Sequence, residues 1–229
     1  MQSGLKHSLS ASLGSAFRRY PVTMTLVAAS LLTFPVGWLA SLESPGRLFE
    51  WMLFSPVQRI GAELYFLPLE AALDRHQWWR LLTPMFLHFS VFHLVLNLLW
   101  VWELGRRIEL GNTGLVLLAT TLVSSVCANL TQYAMVGPSF FGGMSGVVFG
   151  FLGFSLVWDG RRPGQRSGLN GLLYAVLIGF MLIGFTGLLD FLVGPIANGA
   201  HLGGFFGGAG MAFLLRLSGR WPAEPAEPA

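Results

Sequence analysis

Five stretches of this chain contain no Asp, Glu, Lys or Arg: 20–42, 81–102, 110–158, 167–189 and 191–215. A helix crossing hydrocarbon needs about 20 such residues, and a soluble fold has no reason to supply five runs of that length. Four of the stretches fit one crossing each. The 49 residues from 110 to 158 exceed one crossing and accommodate two helices with a connection between them. The expectation is therefore an all-α membrane protein built as a bundle of six transmembrane helices. Charged residues make up 11% of the chain, against about a quarter in soluble domains, which excludes an ordinary soluble enzyme.

Basic residues give the orientation, because short cytoplasmic loops collect Lys and Arg. Lys6, Arg18 and Arg19 precede the first span, Arg106 and Arg107 follow the second, Arg161, Arg162 and Arg166 follow the fourth, and Arg216 and Arg220 follow the sixth. Those ten of the 14 basic residues share one side. The other four lie in the first connection with Glu43, Glu50, Glu63, Glu70 and Asp74, so both termini are expected in the cytoplasm. No basic tract is long enough to point to nucleic acid. The first apolar run is too long for the core of a signal peptide. Cys127 is the single cysteine, which rules out a disulfide framework or a cysteine metal pair, and its expected role is packing.

Three parts follow: a short cytoplasmic lead at 1–20, a membrane domain at 21–217, and a Pro-rich tail at 218–229. In the first connection, 43–80, Trp51, Tyr65, Trp78 and other aromatics alternate with charges, the mixture that rests at a membrane interface. An embedded loop with short amphipathic helices is expected there. The uncharged connection 135–144 reads as a loop dipping into the membrane, tolerated where protein or a water-filled cavity satisfies its backbone. It delivers Ser145 to a short central fourth helix ending near Trp158, roughly 21 Å long, which cannot cross a core of about 30 Å.

This topology brings three polar clusters to one side of the membrane. His88, His93 and Asn97 fall in the outer part of span two, with 93 and 97 one turn apart on one face. Ser145 opens span four, and Asn198 and His201 open span six. Gly146 and Gly150 in span four, and Gly204 and Gly208 in span six, form G-x-x-x-G pairs that let helix backbones approach, making Ser145 and His201 neighbours. A serine hydroxyl needs a base to become a nucleophile, and a neutral imidazole suits that task. The Ser145 N–H at a helix N-terminus, with the side chains of His93 and Asn97, would supply donors to an oxyanion. No acid stands where it would orient His201; Asp190, nearest in sequence, belongs to the preceding connection. The expectation is a Ser-His dyad. The soluble hydrolase elbow G-x-S-x-G is unmatched, since Val147 replaces its last glycine.

The stretches "WWRLLTPMFLHFSVFHLVLNLLWVWELGRRIE" at 78–109, "GGMSGVVFG" at 142–150 and "NGAHLGGFFGG" at 198–208 resemble the rhomboid intramembrane serine proteases, over roughly residues 20–217. The resemblance implies Ser145 as nucleophile, His201 as general base, and His93 and Asn97 lining the oxyanion site. His88, Gly143, Phe149 and Gly204 are supporting residues. It implies that Trp79 and Arg80 belong to the embedded first loop, and that Glu109 ties span two to its neighbours. Bacterial relatives often carry a Tyr packed on the histidine four residues after the serine, where this chain has Phe149. The aromatic face is kept and the hydroxyl is not.

Taken singly, each polar residue has a plainer reading. A lone Ser in a span usually bonds to backbone, Asn97 serves as interhelical glue, His88 cross-links the first loop to span two, and His7 and His76 lie in polar segments. The combination favours catalysis. A transporter would show inverted repeats or charges near the midplane, and neither is present. A non-catalytic rhomboid-like binder, or a member specialised for one sorting signal, remains the alternative. The expected substrates are transmembrane segments of other proteins, entering between spans two and five as the resemblance implies. No metal or organic cofactor is expected, the oligomeric state is open, and the expected location is a bacterial inner membrane with the site opening on the extracytoplasmic side.

Overall fold

Side-chain caps start three of the main helices, each satisfying a backbone N–H that a helix N-terminus leaves without a partner. Ser90 Oγ accepts from His93 N at 3.1 Å, Thr113 Oγ1 from Val116 N at 3.2 Å, and Asn170 Oδ1 from Leu173 N at 2.9 Å. The computed structural model describes residues 12–42, 45–61, 63–160, 164, 166–188, 190 and 195–219. Of the expected N-terminal lead and Pro-rich tail, residues 1–11 and 220–229 lie outside these residues.

After a short helical lead at 12–19, the first long helix is α1 (Pro21–Leu42). The first connection follows with α2 (Arg47–Met52), β1 (Val57–Ile60), β2 (Glu63–Phe66), α3 (Glu70–Leu73) and two 3-10 turns, Trp78–Leu81 and Thr83–Phe86. The remaining long helices are α4 (Val91–Gly111), α5 (Gly114–Val136), α6 (Ser145–Asp159), α7 (Gly171–Gly184) and α8 (Asn198–Leu217). The chain is thus mostly helical, with six helices of 14 or more residues among those described.

Two of the six, over Pro21–Ser41 and Gly114–Val136, are long and apolar enough by themselves to cross a membrane. The others miss for separate physical reasons. Helix α4 carries Glu103, Arg106, Arg107 and Glu109 in its second half, α8 is rich in glycine, and α6 and α7 have only 15 and 14 residues. Helix α6 is the hub of the fold. Twelve of its 15 residues are buried, and a helix apolar on every side belongs inside a bundle. Phe151, Leu152 and Phe154 pack in one cluster with Leu26 of α1, Val101 and Leu104 of α4, Leu117 of α5, Leu177 of α7 and Ala212 of α8.

The first connection departs from the expected short helices. Helices α2 and α3 are present, but between them β1 and β2 form an antiparallel hairpin, with Val57 opposite Phe66 and Ile60 opposite Glu63. The strands carry β-branched and aromatic residues, and Gly61 takes a φ of +63° at the bend. Arg80 gathers this loop. Its guanidinium Nη1 donates to the carbonyls of Glu50 (2.8 Å) and Leu53 (2.7 Å), and its Nε donates to Gln77 Oε1 at 2.7 Å. Burial, and secondly the nearby Arg75, lower its pKa from the ordinary value. Trp79 Nε1 donates to the Trp51 carbonyl at 3.1 Å while the two indoles stack at 4.7 Å. Glu109 binds α4 to the start of α1, accepting from Val22 N (2.8 Å), Thr23 N (2.9 Å) and Thr23 Oγ1 (2.7 Å).

Candidate active site

Glycine decides how closely the site-bearing helices meet. A Cβ at Gly204 would stand 1.9 Å from the Gly146 carbonyl oxygen, one at Gly208 would stand 1.8 Å from that of Gly150, and one at Gly153 would stand 2.1 Å from that of Phe205. Helices α6 and α8 therefore touch backbone to backbone, which only side-chain-free positions permit. Helix α8 is equally close to α5, since a Cβ at Gly203 would lie 2.4 Å from the Cys127 carbonyl oxygen.

This seam places Ser145, the first residue of α6, beside His201 in the first turn of α8. His201 Nε2 lies 2.9 Å from Ser145 Oγ. The imidazole is buried, at 4% exposure, and its face rests on Phe149 one turn beyond the serine, with centroids 4.4 Å apart at 38°. His201 Nδ1 has no hydrogen-bond partner among the described residues. Asp190 is exposed and accepts from Ile196 N at 3.2 Å, within its own connection.

On the other side of the serine, the strand of loop before α6 lies against α4. Gly143 has φ +109°, and a Cβ there would stand 2.6 Å from His93 Nε2 and 3.6 Å from Asn97 Nδ2. The two polar side chains of α4 thus press on the backbone two residues ahead of Ser145. Asn97 Nδ2 donates to the His93 carbonyl at 2.9 Å, a bond within α4. His88 was expected to join the first loop to span two. The structure keeps the loop side of that link, with its Nδ1 3.2 Å from the Phe86 carbonyl, but its other bond is to the loop before α6, where Met144 N donates toward its Nε2 at 3.4 Å. Fully buried, it props the residue just ahead of the serine, because the chain before α4 runs under that loop and not along the helix.

A cavity of about 910 Å³ joins these groups. Ser145, His201, His93 and Asn97 supply polar atoms at its base, and its sides are Phe92, Leu96 and Trp100 of α4 facing Val176, Leu177 and Phe180 of α7. A site of this form combines a hydroxyl, a base and several N–H donors beneath apolar walls, the equipment for acyl transfer. Among the described residues no three His, Cys, Asp or Glu side chains gather as a metal set.

Sequence reasoning passed over two amides that shape this region. Gln132 Oε1 accepts from Ala200 N at 3.2 Å, and Asn129 Nδ2 donates to the Leu81 carbonyl at 2.8 Å. Their spacing of i and i+3 inside an uncharged run was the available signal, since an intramembrane amide needs a partner. A second omission, Asp159, lies at the opposite end of α6.

The Rhomboid domain family profile matches residues 75–218 of this chain. The chain is similar to the "Rhomboid protease GlpG" of Salmonella newport (strain SL254), of Salmonella typhimurium (strain LT2) and of Salmonella choleraesuis (strain SC-B67). Each is 33% identical over 214 residues, covering 90% of this chain and 71% of the relative. With the profile spanning more than half of the chain and the likeness running through all three polar clusters, the chain belongs to the rhomboid family.

Proposed function

We propose that this protein cleaves transmembrane segments of other membrane proteins by a Ser145–His201 dyad, through an acyl-enzyme. Membership of the family makes it an intramembrane serine endopeptidase, a hydrolase of the membrane. The mechanism rests on one observation above all, the 2.9 Å approach of His201 Nε2 to Ser145 Oγ at the base of the cavity. Attack of Oγ on a substrate carbonyl transfers the serine proton to Nε2, which requires the ring hydrogen on Nδ1 beforehand. The tetrahedral oxyanion takes hydrogen bonds from the Ser145 N–H, at a helix N-terminus without intrahelical partner, and from the His93 and Asn97 side chains. His201 then protonates the leaving amine, and a water activated by the same imidazole releases the acyl group.

The membrane arrangement belongs to the same proposal. Six crossings over 21–217, an embedded first loop, cytoplasmic segments at 1–20 and 218–229, and an extracytoplasmic site in a bacterial inner membrane fit the charge pattern. Arg106 and Arg107 lie in the second half of α4, Arg166 follows α6 and Arg216 lies in the last turn of α8, all toward the helix ends away from the polar clusters. A substrate helix hides its carbonyls in internal bonds, so it must unwind before attack, and small or helix-breaking residues near the cut are expected to favour cleavage.

Covalent labelling with a fluorophosphonate probe tests the reading. Wild-type protein in mild detergent should be labelled, and Ser145→Ala and His201→Ala should not. A folded wild type that resists labelling and cuts no transmembrane substrate would instead mark a non-catalytic binder. Replacing Asn97 by Ala should lower kcat by about 10²–10³-fold, roughly 3–4 kcal/mol, with binding of the probe retained.

A further inference from the structure

The most heavily bonded side chain in the described structure lies far from the serine. Asp159, the last residue of α6, is buried at 4% exposure and accepts five hydrogen bonds. Its donors are Gly164 N (2.5 Å), Arg166 N (3.0 Å), Ser167 N (2.7 Å), Ser167 Oγ (2.7 Å) and Tyr174 OH (2.6 Å). Tyr174 stands in the first turn of α7, so the carboxylate clamps that end of α7 to α6. Arg107 adds α4 to the same knot: its Nη1 donates to the carbonyls of Ser167 (3.3 Å) and Gly168 (2.7 Å) while its guanidinium pairs with Glu103.

Among the described residues, fewer hydrogen bonds hold the other end of α7. Asn198 Nδ2 donates to the Gly184 carbonyl at 3.0 Å, one neutral bond, and the buried contacts of α7 form a single stripe, Tyr174, Leu177, Met181 and Gly184. Leu172, Val176, Leu182 and Ile183 on its remaining surface are exposed. Between α4 and α7 lies the 910 Å³ cavity rather than packed side chains. A rod pinned by charge-assisted bonds at one end, and among the described residues by one ordinary bond at the other, yields at the weak end.

We propose that Asp159 is a positioning residue for substrate admission: it pins α7 to α6 and α4 at Tyr174, so that the cavity wall gives way only at its Gly184 end and a substrate segment is seated against Ser145. The inference rests on the function proposed above, and it assigns Asp159, Ser167 and Tyr174 no contact with substrate. Loss of the pin lets α7 shift as a whole, which weakens seating of a long segment, while the Ser145–His201 pair stays held by the glycine contacts between α6 and α8. A small probe that enters without displacing α7 is indifferent to the change.

The test uses full-length wild type, Tyr174→Phe and Asp159→Asn, reconstituted with a transmembrane substrate. Tyr174→Phe removes a single hydroxyl and keeps the ring in place, so it reports even if Asp159→Asn folds poorly. KM should rise by about threefold in Tyr174→Phe and about tenfold in Asp159→Asn, with kcat and the fluorophosphonate labelling rate within about twofold of wild type. A merely structural role would lower kcat, labelling and KM performance together, and that outcome overturns the proposal, as does an unchanged KM. Spin-label pairs at Leu110 and Leu172, and at Val95 and Ile183, read the pin without catalysis. Tyr174→Phe should broaden the first distance distribution. If it does not, the pin is refuted even should the wild type prove inactive, in which case only the functional reading fails with it.

Discussion

Helices α7 and α8 both flank α6, yet they are attached by opposite means. Helix α8 meets α6 through glycines whose backbones touch, so that His201 can reach Ser145 at 2.9 Å. Helix α7 offers one stripe of side chains to the core, lines the cavity at Val176, Leu177 and Phe180, and leaves Leu172, Leu182 and Ile183 exposed. The contrast separates two demands. A proton transfer needs positions held to a few tenths of an ångström, which contact between backbones enforces. A wall beside a substrate needs surface that can yield, which a single stripe and one terminal pin provide.

The largest expected effect comes from prying the rigid seam apart. Gly204→Ala puts a methyl 1.9 Å from the Gly146 carbonyl and must push α8 away. Cleavage should fall by about 100-fold, as a misplacement near 1 Å typically costs. Overpacking should also cost roughly 1–3 kcal/mol in thermal unfolding of the detergent-solubilised protein. Labelling should fall with cleavage, because His201 itself is displaced. Near-normal labelling would show that the seam is dispensable for the dyad.

A smaller effect should follow at the ring that steadies the imidazole. Phe149→Leu keeps an apolar side chain against His201 but removes the aromatic face, worth about 0.5–1.5 kcal/mol, so kcat should drop by up to about tenfold with KM unchanged. Phe149→Tyr keeps the face and should stay near wild type. If the tyrosine variant proved severalfold faster, the hydroxyl would matter in its own right.

The smallest effects belong to α7. Phe180→Ala widens the cavity opposite α4 and should alter KM for a transmembrane substrate by a few-fold, with labelling unchanged. Leu182→Ala, on the exposed surface, should change stability by no more than about 0.5 kcal/mol. Equal penalties at Gly204 and Phe180 in both assays would erase the distinction between seam and wall.

Much of this contrast was legible along the chain, though unevenly. The spacing Gly146, Gly150, Gly204, Gly208 pointed to the seam because small residues at i and i+4 share a helix face. Helix limits were harder to read from uncharged runs. The run 81–102 begins in 3-10 turns and a loop, and α4 continues to Gly111 through four charged residues, because absence of charge reports the solvent and not the backbone bonding pattern. The β1–β2 hairpin escaped notice for a related reason: its strands are four residues each, too short for alternation to stand out from an interfacial mixture. For His88 the sequence points to the right neighbourhood and to the first loop, where Phe86 lies, but not to its second bond, which runs to Met144, 56 residues away in sequence.

What the sequence determined by itself is local: uncharged length that favours buried helices, glycines that permit close approach, and three polar clusters carried on three separate helices. Tertiary structure alone decided which atoms meet. Asp159 looks like a single charge closing an apolar run, and only the return of Ser167 and Tyr174 onto it makes it the pin of α7. Likewise, nothing along the chain sets the distance from His201 to Ser145. That distance is fixed by the summed packing of α6 and α8 at Gly146, Gly150, Gly204 and Gly208, because hydrogen bonds are sensitive to tenths of an ångström and residue spacing is not.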